Sequence, residues 1–158
     1  MKSKLHFSSL VFAIIVTIGC NSQTITSGKK NSILTKTSAS IINPFFTSIK
    51  NGNYNNALRE LLSTNVDINL KDSSTVNLEN KFNTINKYSG KFISERLLRK
   101  KEVGNDLGVY VYFVCYAKKF YRFTFTFYNN GNEIKIYKFS FDDSFDSELE
   151  DGMRLYTN

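Results

Sequence analysis

Residues 107–141 read LGVYVYFVCYAKKFYRFTFTFYNNGNEIKIYKFSF. Apolar side chains recur there at every second position, the period of a pleated strand and not of a helix. The stretch divides into strands over 107–116, 121–128 and 133–141. The turn Gly104-Asn105-Asp106 precedes the first, and the loop Asn129-Asn130-Gly131-Asn132 joins the last two as a hairpin. Within 133–141 the apolar phase changes, with Ile134 and Ile136 on one parity and Phe139 and Phe141 on the other. A β-bulge near Tyr137-Lys138 is expected to reconcile them. Upstream, 92–103 is a further strand, continued or interrupted at Arg99-Lys100-Lys101.

An even-numbered loop closing around Lys118-Lys119 would set Tyr116 opposite Tyr121, Val114 opposite Phe123, Tyr112 opposite Phe125 and Tyr110 opposite Phe127. One sheet face is then almost wholly aromatic, and cross-strand ring pairs favour burying it. The other face sets Val109, Val111, Phe113 and Cys115 against Arg122, Thr124, Thr126 and Tyr128. An odd-numbered loop would flip the pairing and every side chain with it. On the even register the hydroxyls of Tyr110 and Tyr112 enter a buried region and need partners. Tyr110, Tyr112 and Tyr116 are therefore the candidate pocket residues, with core residues whose hydroxyls reach the rim as the alternative.

Ahead of the strands the period is helical. Asn43-Pro44 suits a helix start, followed by Phe45, Phe46 and Ile49, with Asn51-Gly52 as the stop. Tyr54, Ala57, Leu58, Leu61 and Leu62 form an amphipathic stripe from about Asn53. A short extended piece is expected over 66–70. Asp72, Ser73 and Ser74 offer caps for a third helix that buries Leu78, Phe82, Ile85 and Tyr88 and ends at Gly90. Phe145, Leu149 and Met153 have helical spacing behind an acidic start, which predicts a short closing helix in 142–158. Helices followed by an antiparallel meander define an α+β class.

The N-terminus is of another kind. Lys2 and Lys4 precede an apolar run over 10–18, too short to span a bilayer and right for a signal-peptide core. The run closes in Thr17-Ile18-Gly19-Cys20, which resembles the lipobox of bacterial lipoproteins, with Thr17 where that family usually has leucine. The resemblance implies cleavage before Cys20 and a fatty acyl (palmitate-type) modification of it. Residues 1–19 are then the signal peptide. Residues 20–40, rich in Ser, Thr, Asn and Lys, read as a flexible tether, and 41–158 as a single domain.

The net charge of +7 is uneven. Without Lys2 and Lys4 it is +5. Residues 20–103 carry 13 Lys/Arg against 6 Asp/Glu, 104–141 carry 5 against 2, and 142–158 carry 1 against 6. A basic body with an acidic tail lacks the clustered stripe of a nucleic-acid binder. Arg96, Arg99, Lys100 and Lys101 read as protection of an edge strand against mispairing, or as contacts to anionic headgroups.

The sole histidine, His6, lies in the signal segment. The mature domain therefore lacks the imidazole of Ser-His-Asp and Cys-His catalysis. Zinc sites want histidine or several cysteines, and Cys115, the only thiol beyond Cys20, reads as a buried inert side chain. The acidic run from Asp142 misses the glycine and glutamate positions of an EF-hand loop. No catalytic residue, metal or cofactor is indicated.

The segments FFTSIKNGNYNNALRELL and FTFYNNGNEIKIYKFSFDD resemble small uncharacterised bacterial lipoproteins with a cystatin-like or NTF2-like domain, over about residues 43–143. That resemblance implies a curved sheet wrapped on helices. Its superfamily holds isomerases, hydratases and many non-catalytic binding modules. The reading is an envelope lipoprotein held by its N-terminal lipid to the outer membrane before the inner, binding an unknown small ligand or envelope protein. An isomerase- or hydratase-like enzyme and an accessory subunit of an envelope complex are the alternatives.

Overall fold

The structure, a computed structural model, describes residues 32–145. Three helices, α1 (Ile33–Lys50), α2 (Tyr54–Ser63) and α3 (Ser73–Ser89), precede four strands. These are β1 (Phe92–Val103), β2 (Leu107–Tyr116), β3 (Phe120–Asn129) and β4 (Ile134–Asp142). The strands form one antiparallel sheet in chain order, β1-β2-β3-β4. The α+β meander expected from the sequence is the architecture found.

α1 begins well before Asn43-Pro44. Ser32 caps it, its hydroxyl accepting from the Thr35 amide at 3.0 Å. Residues 33–40, read as tether, form its first two turns, and Leu34 has 0% exposure. The reason is periodicity: Leu34, Ser38, Ile42, Phe45 and Ile49 make one buried stripe, which a Ser/Thr-rich composition disguises. Pro44 lies inside the helix and not at its first position. It cannot donate to the Ser40 carbonyl, a local cost that the buried stripe on either side offsets.

Asn51-Gly52 ends α1, with Gly52 at φ 78°. Residues 64–72 are a succession of turns in place of the extended piece expected there. The loop is tied to the sheet by Asn65, whose side-chain amide donates to the Ile136 carbonyl at 2.8 Å. In α3 the cap is Asp72, and Phe82 and Ile85 are buried. Tyr88 is 58% exposed, contrary to expectation, because Ser89 continues the stripe.

The β2–β3 pairing keeps the expected parity but slides by two residues. Tyr110 pairs with Phe125, Tyr112 with Phe123 and Val114 with Tyr121. The turn is Ala117-Lys118, closed by Tyr116 N–H donating to the Lys119 carbonyl at 2.8 Å. The tight turn is held from outside. The Ala117 and Lys118 amides donate to the Lys91 and Ser89 carbonyls, each at 2.9 Å. An even slip moves no side chain across the sheet, so the aromatic face is the buried one.

Tyr137 is skipped between the pairs Phe127–Ile136 and Thr126–Lys138, the bulge that the phase change requires. Two further irregularities, at Ile93 and Leu98, let β1 run unbroken through Arg99-Lys100-Lys101. β4 ends at Asp142, which holds Arg122 at 2.8 Å and starts no helix. Residues 143–145 are not helical, and the rest of the expected closing helix lies outside the described residues.

Phe45 is the hub of the core. Its ring meets Phe125 edge-on at 5.2 Å and Phe139 at 5.3 Å, and lies 5.7 Å from Phe82. Phe123, Phe125 and Phe127 are fully buried on the sheet side. Burying each such ring stabilises by about 1.5–3 kcal/mol, and a good edge-to-face contact adds about 0.5–1.5 kcal/mol.

Candidate functional site

The most connected polar group on the helix-facing side is the Glu102 carboxylate, near the end of β1. Tyr110 Oη donates to its Oε1 at 2.6 Å and Thr35 Oγ1 at 2.8 Å. Ser32 Oγ lies 3.1 Å from both oxygens. Lys100 Nζ lies 3.2 Å from Oε2 and also donates to Thr35 Oγ1. The carboxylate thus sits at the N-terminus of α1, where the helix dipole favours negative charge.

Burial pushes the Glu102 carboxyl up, but hydrogen bonds from Tyr110, Thr35, Lys100 and Ser32 outweigh it, and the net direction is down from 4.5. Burial, and then the bond to Glu102, push the Tyr110 phenol up to about 12. The pair is therefore a carboxylate and a neutral phenol across the physiological range.

Gly108 makes this contact possible. It is the β-ladder partner of Glu102. A Cβ there would stand 2.9 Å from Tyr110 Cε2, 3.0 Å from Leu34 Cδ2 and 3.3 Å from Tyr110 Oη. The missing side chain is the slot through which the phenol reaches the carboxylate.

The other two candidate tyrosines are set apart from this network. Tyr112 is half-buried between the rings of Phe46 at 5.1 Å and Phe125 at 5.7 Å. Burial and then the Glu95 charge raise its pKa. Tyr116 is buried at the opposite end of β2, its hydroxyl without a hydrogen bond of good geometry among the described residues. Burial and then the neighbouring Tyr54 hydroxyl push its ionisation far up. Nearby, the hydroxyls of Ser89 and Tyr121 bond at 2.8 Å.

The clefts formed by described residues include three whose walls are built from side chains other than Tyr110, Tyr112 and Tyr116. One of about 200 Å³ lies between α1 and α2, at Pro44, Glu60 and Thr64. A second of about 400 Å³ lies between the first turn of α3 and β4, at Thr75, Leu78 and Phe139. A third of about 240 Å³ is walled by Leu107, Tyr128 and Tyr137. Helix α3 is fixed to α2 by Arg59 and Glu79, whose Nη2 and Oε2 are 3.1 Å apart.

The face turned from the helices carries Val109, Val111, Phe113 and Cys115, all half-buried. Cys115 is a free thiol that is not fully buried, contrary to expectation. Its alternation with Val111 and Phe113 puts it on the face that no helix among the described residues covers. Arg96, Arg99 and Lys101, exposed on β1, border that face.

Cys20, the expected lipidation site, lies outside the described residues, as does most of the segment read as tether. Among the described residues no helix is long and apolar enough to cross a membrane, and no three His, Cys, Asp or Glu are grouped to hold a metal ion. No family model, curated protein or solved structure matches the chain.

The sequence pointed to Tyr110 but missed its partner Glu102 and the hydroxyls of Ser32 and Thr35 that donate to the same carboxylate. The available signal was Gly108, a glycine inside an otherwise β-rich strand, which marks close approach of another group.

Proposed function

We propose that the protein is a lipid-anchored module of a bacterial cell envelope, acylated at Cys20, that works by binding an envelope protein and not by catalysis. The N-terminal features that support the anchor are Lys2, Lys4, the apolar run over 10–18 and Gly19-Cys20. The resemblance to small lipoproteins with a cystatin-like or NTF2-like domain points the same way. The observation that carries the binding reading is the filled space between sheet and helices. Phe45, Phe46 and Phe82 pack there against Phe123, Phe125 and Phe139, which supports a core between the layers over a ligand chamber.

One contact favours a second reading, that of a small isomerase- or hydratase-like enzyme: a carboxylate beside a tyrosine hydroxyl, Glu102 and Tyr110 at 2.6 Å. A general base works best with its pKa near the working pH, whereas Glu102 is held below the ordinary range by its donors. Its bonds to Ser32 and Thr35 suit the anchoring of α1 to β1 better than proton transfer.

Native mass spectrometry of the full lipidated chain, extracted in mild detergent, separates the readings. The expected result is a retained protein partner and no small-molecule mass. A retained small ligand that is lost in Glu102→Gln overturns the proposal in favour of the enzyme.

A further inference from the structure

The described chain ends on the outer face of the sheet. Beyond the Asp142–Arg122 pair the backbone leaves β4, and Phe145 lies edge-on to Phe113 and to Phe120, at 5.2 Å in each case. The Arg122 guanidinium is 5.8 Å from the same ring. Phe145 is only 8% exposed, so this is a seated side chain. From Asp142 on β4, over Arg122 on β3, to Phe113 on β2, the chain crosses the sheet toward β1. The β1 residue paired with Phe113 is Arg96.

Thirteen residues follow, 146–158, in the order DSELEDGMRLYTN. Four of the first six are acidic: Asp146, Glu148, Glu150 and Asp151. On β1, along the outer face, Arg96, Arg99 and Lys101 form an exposed basic row. Beside that row on β2 are the half-buried Val109 and Val111, and Leu149, Met153 and Leu155 supply apolar groups in the segment. Neighbouring strands are about 4.8 Å apart. Thirteen residues reach about 20 Å as a helix or about 43 Å extended, so either form spans the distance from β2 to β1.

We infer that residues 146–158 are the occupant of this outer face, with their carboxylates against Arg96, Arg99 and Lys101 and their apolar side chains over Val109 and Val111. Tethering at Phe145 keeps the segment at an effective concentration in the millimolar range, so modest contacts hold it. Attraction between exposed charges is screened within about 8 Å at physiological ionic strength, which makes the docking sensitive to salt. The inference concerns the chain's own segment and does not depend on the anchor at Cys20 or on any envelope partner.

Zero-length carbodiimide cross-linking of the full chain tests it, using an equal mixture of ordinary and ¹⁵N-labelled protein and peptide mass spectrometry. The expected product joins Lys101 to Glu148, Glu150 or Asp151 within one isotope, several-fold above links to lysines on the helices. It falls several-fold in 0.5 M salt and in Arg96→Glu/Arg99→Glu. Carboxylates of 146–158 joined evenly to all lysines, or chiefly to Lys81 and Lys87 of α3, overturn the inference. Mixed-isotope products in excess also overturn it, assigning the face to a second copy.

Discussion

Tyr110 reaches Glu102 diagonally across the β1–β2 ladder, its hydroxyl 2.6 Å from Oε1, passing over the position where Gly108 has no side chain. The contact closes the helix layer onto the sheet, because the same carboxylate takes hydrogen bonds from Ser32 and Thr35 of α1. Its two partners titrate at opposite ends of the pH scale, which gives the fold a signature that can be measured.

On the acid side, the Glu102 carboxyl is held below 4.5 in the folded chain. A lowered pKa contributes stability that is present above the unfolded value and lost as pH falls through the folded one. Denaturant melts between pH 7 and pH 3 are expected to lose stability below about pH 4.5, and Glu102→Gln to flatten that slope. At pH 7 the variant is expected to cost about 1–3 kcal/mol, since its donors lose a charged acceptor. An unchanged acid slope in Glu102→Gln would assign the acid sensitivity elsewhere.

The alkaline side has the opposite sign. Tyr110 is raised from 10.0 to about 12 in the fold, so its contribution is complete below pH 10 and lost as pH climbs toward 12. Tyr110→Phe is expected to remove that alkaline loss while lowering stability at pH 7 by about 1 kcal/mol. Thermal melts at pH 7 and pH 11 on the two chains read both effects.

Gly108→Ala is expected to destabilise by about 1–3 kcal/mol through overpacking. The added methyl meets Tyr110 and Leu34 at 2.9 and 3.0 Å, and both neighbours are themselves buried. Urea unfolding measures the cost. A neutral outcome would mean that Tyr110 can leave the slot without loss.

Phe125→Ala and Tyr112→Phe form a contrasting pair. Phe125 is fully buried against Phe45, Phe46 and Phe139, so its truncation is expected to cost about 3–5 kcal/mol. Tyr112 keeps its ring contacts as phenylalanine, and the change is expected to stay within about 0.5 kcal/mol. Loss of a bound small molecule in Tyr112→Phe with an unchanged melting temperature would show that the hydroxyl serves a ligand.

For the anchor, metabolic labelling with a clickable fatty acid is expected to mark the wild-type chain and Cys115→Ala but not Cys20→Ala. Equal labelling of all three would remove Cys20 as the acylated residue.

The sheet was legible because each strand carries its own alternation and each turn its own residues: Asn130-Gly131 before β4, Gly104 before β2. The bulge at Tyr137 was legible for the same reason, as a break in phase between Ile136 and Phe139. Parity along β2 and β3 indicated which face is buried, but a slip of two residues leaves parity intact, so the true partners of Tyr110 and Tyr112 were not readable. The first turns of α1 escaped because seven polar or small residues surround Leu34 and hide a stripe that only packing makes evident. Glu102 escaped for a related reason. In the run Arg99-Lys100-Lys101-Glu102 it looks like one more solvated charge, and what sets it apart is a helix arriving from about seventy residues earlier in the chain.

The irregularities at Ile93 and Leu98 in β1 and at Tyr137 in β4 fall on the two outermost strands. Each one interrupts the row of amides and carbonyls that a foreign strand would have to match. Among the described residues, neither border of the sheet therefore offers a long uninterrupted template for strand addition by another copy. The irregularity that keeps both Ile136 and Phe139 of β4 on the buried face thus also guards that border against strand addition.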